Sequence, residues 1–348
     1  MRSARRPFAV GFLVCLAILA SDAVLGAEDA AARTQWFRDA KWGVFTHYLT
    51  ADTMTPDEWN KTVGSFDVTR LATDVASTGA GYYVITLGQN SGHYCTPNAT
   101  YDSIVGITPS KCAKRDLIAE LYDALHAKGI RLMVYLPAGA PDRDPVAMKA
   151  LEWKNGKYPI WKYPEGGPDG GDDRLVNFQR KWESVIREWS VRWGDKVSGW
   201  WFDGCYFPIA MYKHADAPNF ESFAAAARAG NPNSIVAFNP GVRDPIISLS
   251  PAEDYTAGEI NDADKLVCPG PTVDGRQYHM LSYLGRFWGQ APPRYSDDQV
   301  VAITKGITDK GGVVTWDVPI QHDGTIPEVF LQQLRVLGQA MREGAAAK

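Results

Sequence analysis

The chain is poor in the residue types that hold most protein-bound metals. Five cysteines and six histidines occur in 348 residues. No CxxC or Cys/His spacing of a zinc site appears and no strand-like run carries an HxH pair, which argues against a metal-dependent hydrolase. A basic stripe is also missing: 36 Lys and Arg stand against 40 Asp and Glu, a formal charge of -4, so the chain does not read as a nucleic-acid binder. No glycine-rich fingerprint follows the first strand-like run, where "THYLTADTM" stands instead, and this removes the usual dinucleotide-binding reading. After the first 26 residues no apolar run is long enough to span a membrane.

Those first residues have their own character. Arg2, Arg5 and Arg6 precede the apolar "FAVGFLVCLAILA" and then small residues up to "AVLGAEDA", the layout of a secretory signal peptide cut between Gly26 and Ala27. Cys15 sits in mid-core with no small residue before it, which disfavours lipidation. Residues 1–26 are therefore expected to be a leader that directs a mature chain, 27–348, to a periplasm or the outside. Export permits disulfides; Cys95 and Cys112 bracket one loop-like stretch and form the expected pair, while Cys205 and Cys268 read as free buried thiols.

The mature chain alternates strand-like and helix-like runs, which predicts a parallel sheet covered by helices. Strands are expected at 41–48, 82–88, 131–137, 198–204, 234–240, 254–259, 279–285 and 313–320. Between them lie amphipathic helices such as "RDLIAELYDALHAKG", with Leu117, Leu121 and Leu125 on one face and Gly129 as a cap, and "LVNFQRKWESVIREWSVRWG", ending at Gly194. Eight near-continuous apolar strands alternating with helices predict an α/β fold, a single-domain (β/α)8 TIM-like barrel.

In such a barrel the strand C-termini carry the active site. They are His47 and Tyr48, then Gln89, Asn90 and His93, then Tyr135, Trp201 and Asp203, Asn239, Glu259, Trp288, and Trp316 with Asp317. Carboxylates, amides, histidines and indoles at one mouth suit a sugar, whose hydroxyls need polar partners and whose C–H faces need aromatic surfaces. "VSGWWFDGCYF" poses the question most sharply, because an aromatic run ends in Asp203 where the chain leaves the sheet. Asp-Gly is ordinary turn chemistry, but a turn does not explain the aromatic wall. Glycoside cleavage by a retaining mechanism needs two carboxyl groups about 5 Å apart, one attacking the anomeric carbon and one protonating the leaving oxygen. Asp203 on the fourth strand and Glu259 on the sixth are next-but-one neighbours around the ring, which lets a pocket place them opposite each other.

"WFRDAKWGVFTHY", "YYVITLGQNSGHYC", "RDLIAELYDALHAKGIRLMVYLPAG", "VSGWWFDG" and "GGVVTWDVPIQHDGTIPEVFLQQLRVLG" resemble, in order, glycoside hydrolase family 29, the α-L-fucosidases. The likeness runs from about residue 35 to 340 and implies a cofactor-free, metal-free retaining exo-glycosidase acting on fucosylated oligosaccharides or polysaccharides. It implies Asp203 as nucleophile and His47 and Tyr135 as sugar contacts. "DYTAGE" resembles the family's acid/base segment and points to Glu259, with Glu253 as runner-up. Gln89, Asn90, His93, Trp201 and Trp288 complete the expected substrate-binding set.

The departures fall at the sugar site. "GQNSGHYC" stands where the family has a histidine pair, so Gln89 and Asn90 replace it, and "FNPGV" lacks an arginine directly after Asn239, which Arg243 is expected to supply. The chain is expected to lack the β-sandwich that often follows the barrel. A glycosidase for a fucose-related sugar, such as an α-L-galactoside, or a non-catalytic carbohydrate-binding barrel are the alternatives. The Gly-, Pro- and Asp-rich stretch from 141 to 173 is expected to form a rim of the pocket.

Overall fold

The computed structural model describes residues 30–153 and 174–346. The expected leader, and residues 154–173 of the expected rim with Trp161, lie outside them. Seven strands, β1 (Trp42–Thr46), β2 (Tyr82–Thr86), β3 (Arg131–Pro137), β4 (Gly199–Asp203), β5 (Ile235–Phe238), β6 (His279–Tyr283) and β7 (Val313–Asp317), form one parallel sheet in the order β5-β4-β3-β2-β1-β7-β6. Almost every strand residue is buried, as a parallel sheet covered on both faces requires.

Side-chain alternation divides the core in two. Phe45, Tyr82, Val84, Met133, Tyr135, Trp201, Ile235 and Leu281 pack together on the inner face. Val44, Tyr83, Ile85, Val134 and Trp200 point outward, where the helices cover them. Trp201 is therefore the inner indole and Trp200 the outer one. Gly43 makes room inside, since a Cβ there would stand 2.3 Å from the Tyr82 ring. Below the strands, Phe37 closes the inner core with its ring 4.9 Å from Tyr82 and 4.9 Å from Tyr255.

The helix Leu117–His126 buries Leu117, Leu121 and Leu125 against the sheet, and Asp116 caps its N-terminus by accepting from Ala119 N–H. Each such leucine contributes roughly 1.5–3 kcal/mol of burial. The helix Val176–Trp193 ends at Gly194 as expected and buries Trp182, Trp189 and Trp193. Their indole N–H groups donate to Pro137 O, Pro97 O and Asp116, which makes these tryptophans packing residues.

Two expectations are corrected. The sixth expected strand is not a regular strand: residues 254–259 span the gap between β5 and β6 through isolated parallel bridges, Tyr255 with Gln277 and Glu259 with Leu281. Asp254 N–H donates to Val236 O on one side, while Thr256 N–H donates to Gln277 O on the other. The break has a local cause. Gly258 adopts φ +67, and a Cβ there would stand 1.9 Å from His279 O, so the chain leaves extended geometry one residue before Glu259. The segment is fastened at its start, where the buried Asp254 pairs with Arg33 at 2.8 Å and Arg228 at 2.5 Å.

The second correction concerns Cys95 and Cys112, which are free buried thiols. Tyr94, not Cys95, is the bridge partner of Cys112. Adjacent residues on an extended segment face opposite ways, and the Cys95 thiol faces back towards Thr86 O at 3.7 Å.

Candidate active site

The C-terminal ends of the strands open into a pocket of about 280 Å³ lined by His47, Gln89, Tyr135, Trp201, Asp203, Glu259 and Trp288, with Phe45, Leu49, Leu281 and Phe287. Seven of the nine expected site residues thus meet in one cavity. Asn90 and His93 do not line it. His93 is buried, 6.3 Å from Trp59 ring to ring. Burial, and secondarily the Lys111 ammonium, lower its pKa to about 4. Arg243 also stays outside the pocket lining and donates to its neighbour's carbonyl, Val242 O.

Asp203 ends β4 and has each oxygen held. Oδ1 accepts from Gly204 N–H at 2.8 Å and from Asn239 Nδ2 at 2.8 Å, and Oδ2 accepts from the Tyr135 hydroxyl at 2.6 Å. The Gly204 bond is the ordinary turn chemistry of Asp-Gly, with Gly204 at φ +79. The other two bonds are additional and aim the carboxylate into the pocket. The Tyr135 hydroxyl itself accepts from Gln89 Nε2 at 2.7 Å. Its acceptor side is thereby occupied, which directs its proton to Asp203. Burial and the adjacent Asp203 raise the Tyr135 pKa well above that of a free phenol, so it remains a donor.

Glu259 reaches the pocket from residues 254–259. Tyr255 and Ala257 of this segment belong to the inner core, and Glu259, just past the turn of the backbone at Gly258, lines the pocket. Its Oε2 accepts from Asn239 Nδ2 at 2.7 Å. One amide nitrogen therefore donates to both carboxylates. The two bonded oxygens cannot lie further apart than these bonds laid end to end, about 5.5 Å. Burial first, and the Asp203 charge second, raise the Glu259 pKa to about 7.

His47 directly follows β1 and is oriented by Asp317 at the end of β7, with Nδ1 and Oδ1 2.8 Å apart. Asp317 also accepts from Gly289 N–H at 2.6 Å, tying down the turn that carries Trp288. Trp201 stacks on Tyr135 with centroids 5.3 Å apart and donates its indole N–H to Ala257 O. Glu253, the other candidate acid, is not in the pocket lining: it is 1 % exposed and accepts from the Leu249 and Phe238 N–H groups.

Asn239 and Asp317 were visible in the sequence only as strand ends. Their roles depend on partners far away in the chain, and no local pattern encodes that. Phe287 carried no signal at all.

Two carboxylates bridged by one amide in an aromatic pocket, at the C-terminal ends of a parallel α/β sheet, suit the chemistry of a glycoside hydrolase. The sequence pattern described as Alpha-L-fucosidase matches residues 55–345, and the chain belongs to that family. No curated protein matches it in a whole-sequence search. Among solved structures, the endo-fucoidan hydrolase MfFcnA4 of glycoside hydrolase family 107 is similar at 19 % identity and TM-score 0.68, over 90 % of this chain and 54 % of that one. The present chain thus corresponds to about half the length of that relative. Alpha-L-fucosidase AlfC from Lactobacillus casei, solved with the alpha-L-fucose product, is similar at 16 % identity and TM-score 0.61, over 90 % of this chain and 99 % of that one. Alpha-L-fucosidase isoenzyme 1 from Paenibacillus thiaminolyticus gives 19 % identity and TM-score 0.57, over 90 % and 76 %.

Proposed function

We propose that the protein is an exo-acting retaining α-L-fucosidase, exported by its leader to act on fucosylated glycans, with Asp203 as nucleophile and Glu259 as acid/base. The carrying observation is the Asn239 amide shared by the two carboxylates. The bonded oxygens are held no more than about 5.5 Å apart, which is compatible with a retaining pair and shorter than the separation of an inverting pair with a water between. A pocket of about 280 Å³ suits one sugar ring. Counted with residues 254–259, the strands make an eight-membered barrel, and Asp203 and Glu259 belong to its fourth and sixth members.

The chemistry follows from the hydrogen bonds. Asp203 attacks the anomeric carbon as the glycosidic C–O bond breaks, and the Glu259 proton passes to the departing oxygen. Burial and the Asp203 charge raise its pKa, so a substantial fraction of Glu259 keeps that proton towards neutral pH. Once Asp203 has become an ester its charge is gone, so one cause of the raised Glu259 pKa disappears. Glu259 is then the base that takes a proton from the water cleaving the ester. His47, held by Asp317, and the Trp201 and Trp288 faces bind the sugar. Asn90 and His93 have no place in this arrangement.

Hydrolysis of 4-nitrophenyl α-L-fucoside, abolished by Asp203→Ala, tests the reading. Cleavage of an α-L-galactoside instead would keep the mechanism and assign the Gln89 replacement to specificity. Silence across the panel with sugars still bound would favour a non-catalytic barrel. The similarity to MfFcnA4 motivates one further reading, endo-cleavage of a fucan, which predicts oligosaccharide rather than fucose as the product.

A further inference from the structure

The hairpin after β6 pairs Gly285–Phe287 with Gln290–Pro293 and carries the pocket's outer wall. Phe287 lines the pocket yet is 51 % exposed. Every other Phe, Tyr and Trp among the described residues is buried or half-buried. A lone exposed aliphatic residue needs no explanation, but this ring is exposed at the rim of a carbohydrate site, and it is held there. Tyr283 supports it from below with ring centroids 5.6 Å apart. Arg294 lies 3.7 Å over the Tyr283 ring and donates to Tyr283 O and Ser282 Oγ. Gly289, in the turn, is bonded to the buried Asp317. The platform is therefore fixed in place before any ligand arrives.

Its side of the pocket is also defined. The hairpin continues β6, whose Leu281 is the bridge partner of Glu259, so platform and acid sit on neighbouring segments of the same wall. The group that receives the Glu259 proton is the leaving sugar.

We propose that Phe287 is the stacking platform of a second subsite, which binds the sugar on the leaving-group side of the scissile bond. The natural substrate then carries its terminal residue on at least one further sugar, whose apolar C–H face covers the ring. This rests on the fucosidase reading, and the test separates the two.

α-L-Fucosyl fluoride, whose leaving group is too small to reach Phe287, is compared with a panel of α-L-fucosyl disaccharides differing in linkage. Phe287→Ala should leave kcat/KM for the fluoride within about twofold and lower that for the best disaccharide about tenfold. Phe287→Trp, which keeps an aromatic face, should retain the disaccharide rate. Equal losses on both substrates, or none on either, would overturn the platform. If the wild-type chain cleaves neither, the activity reading fails by itself, and retardation of the same three proteins in gels cast with fucan decides the subsite: retardation lost only in Phe287→Ala supports it, and equal mobility of all three refutes it.

Discussion

Glu253 and Glu259 stand six residues apart at the two ends of one segment, and burial raises both to a pKa of about 7. Their surroundings differ. Glu253 is enclosed by backbone N–H groups of Leu249 and Phe238, outside the pocket lining. Glu259 shares an amide with Asp203 and faces the cavity. A perturbed carboxyl therefore does not by itself mark a catalytic group. The informative difference is that the charge of a second carboxylate contributes to the shift of Glu259, whereas Glu253 owes its shift to burial opposed by hydrogen bonds.

The largest effect should come from removing that second carboxylate. Asp203→Ala should lower kcat/KM on aryl fucosides by roughly 10⁴-fold or more. In a carbon-detected NMR titration of labelled glutamates it should also lower the Glu259 pKa and leave that of Glu253 in place. Movement of both would break the comparison.

Glu259→Gln should cost about 10²–10³ in kcat with poor leaving groups and far less with good ones, with rescue by azide. The basic limb of the pH–rate profile, near 7 in the wild type, should vanish with it, because a proton held below that pH is what the first step consumes. A loss independent of the leaving group would assign the acid to another residue.

A smaller change is expected from Gln89→Leu, which frees the Tyr135 hydroxyl to turn from Asp203. The expected result is a fall of about tenfold in kcat with KM within about twofold. A rise in KM alone would make Gln89 a sugar contact instead.

Least affected in activity should be Glu253→Gln, with kcat/KM within about twofold. It leaves a backbone N–H facing the new amide nitrogen, so stability should drop by about 1–3 kcal/mol in chemical denaturation. The sign with pH is set by the raised value. In the wild type, Glu253 contributes stability fully below its ordinary pKa of 4.5, and that contribution is lost as pH rises through about 7. The variant should lack this part of the slope.

Much of this was legible in the sequence where side-chain direction follows from a regular strand. Asp203, Tyr135 and Trp201 lie at the ends of strands whose period fixes their face. Legibility failed after β2. There the chain folds back on itself through a Gly88–Tyr94 bridge, which leaves Gln89 in the pocket and sends His93 into the core, a distinction that no periodicity carries. It failed likewise for Cys95 and Cys112, where a register offset of one residue separates the thiols. The sixth strand read correctly in position and wrongly in regularity, because Gly258 yields to the approaching His279 carbonyl. Asn239 showed only its place, since its two partners come from other segments.

Residues 254–259 bridge β5 to β6 and carry Glu259, the proposed acid, at once. The bridge between the two edge strands and the placement of Glu259 therefore share one mechanical part and cannot be tuned separately. A substitution that unpairs the buried Asp254 from Arg33 or Arg228 should therefore lower the melting temperature and disturb the pH–rate profile together.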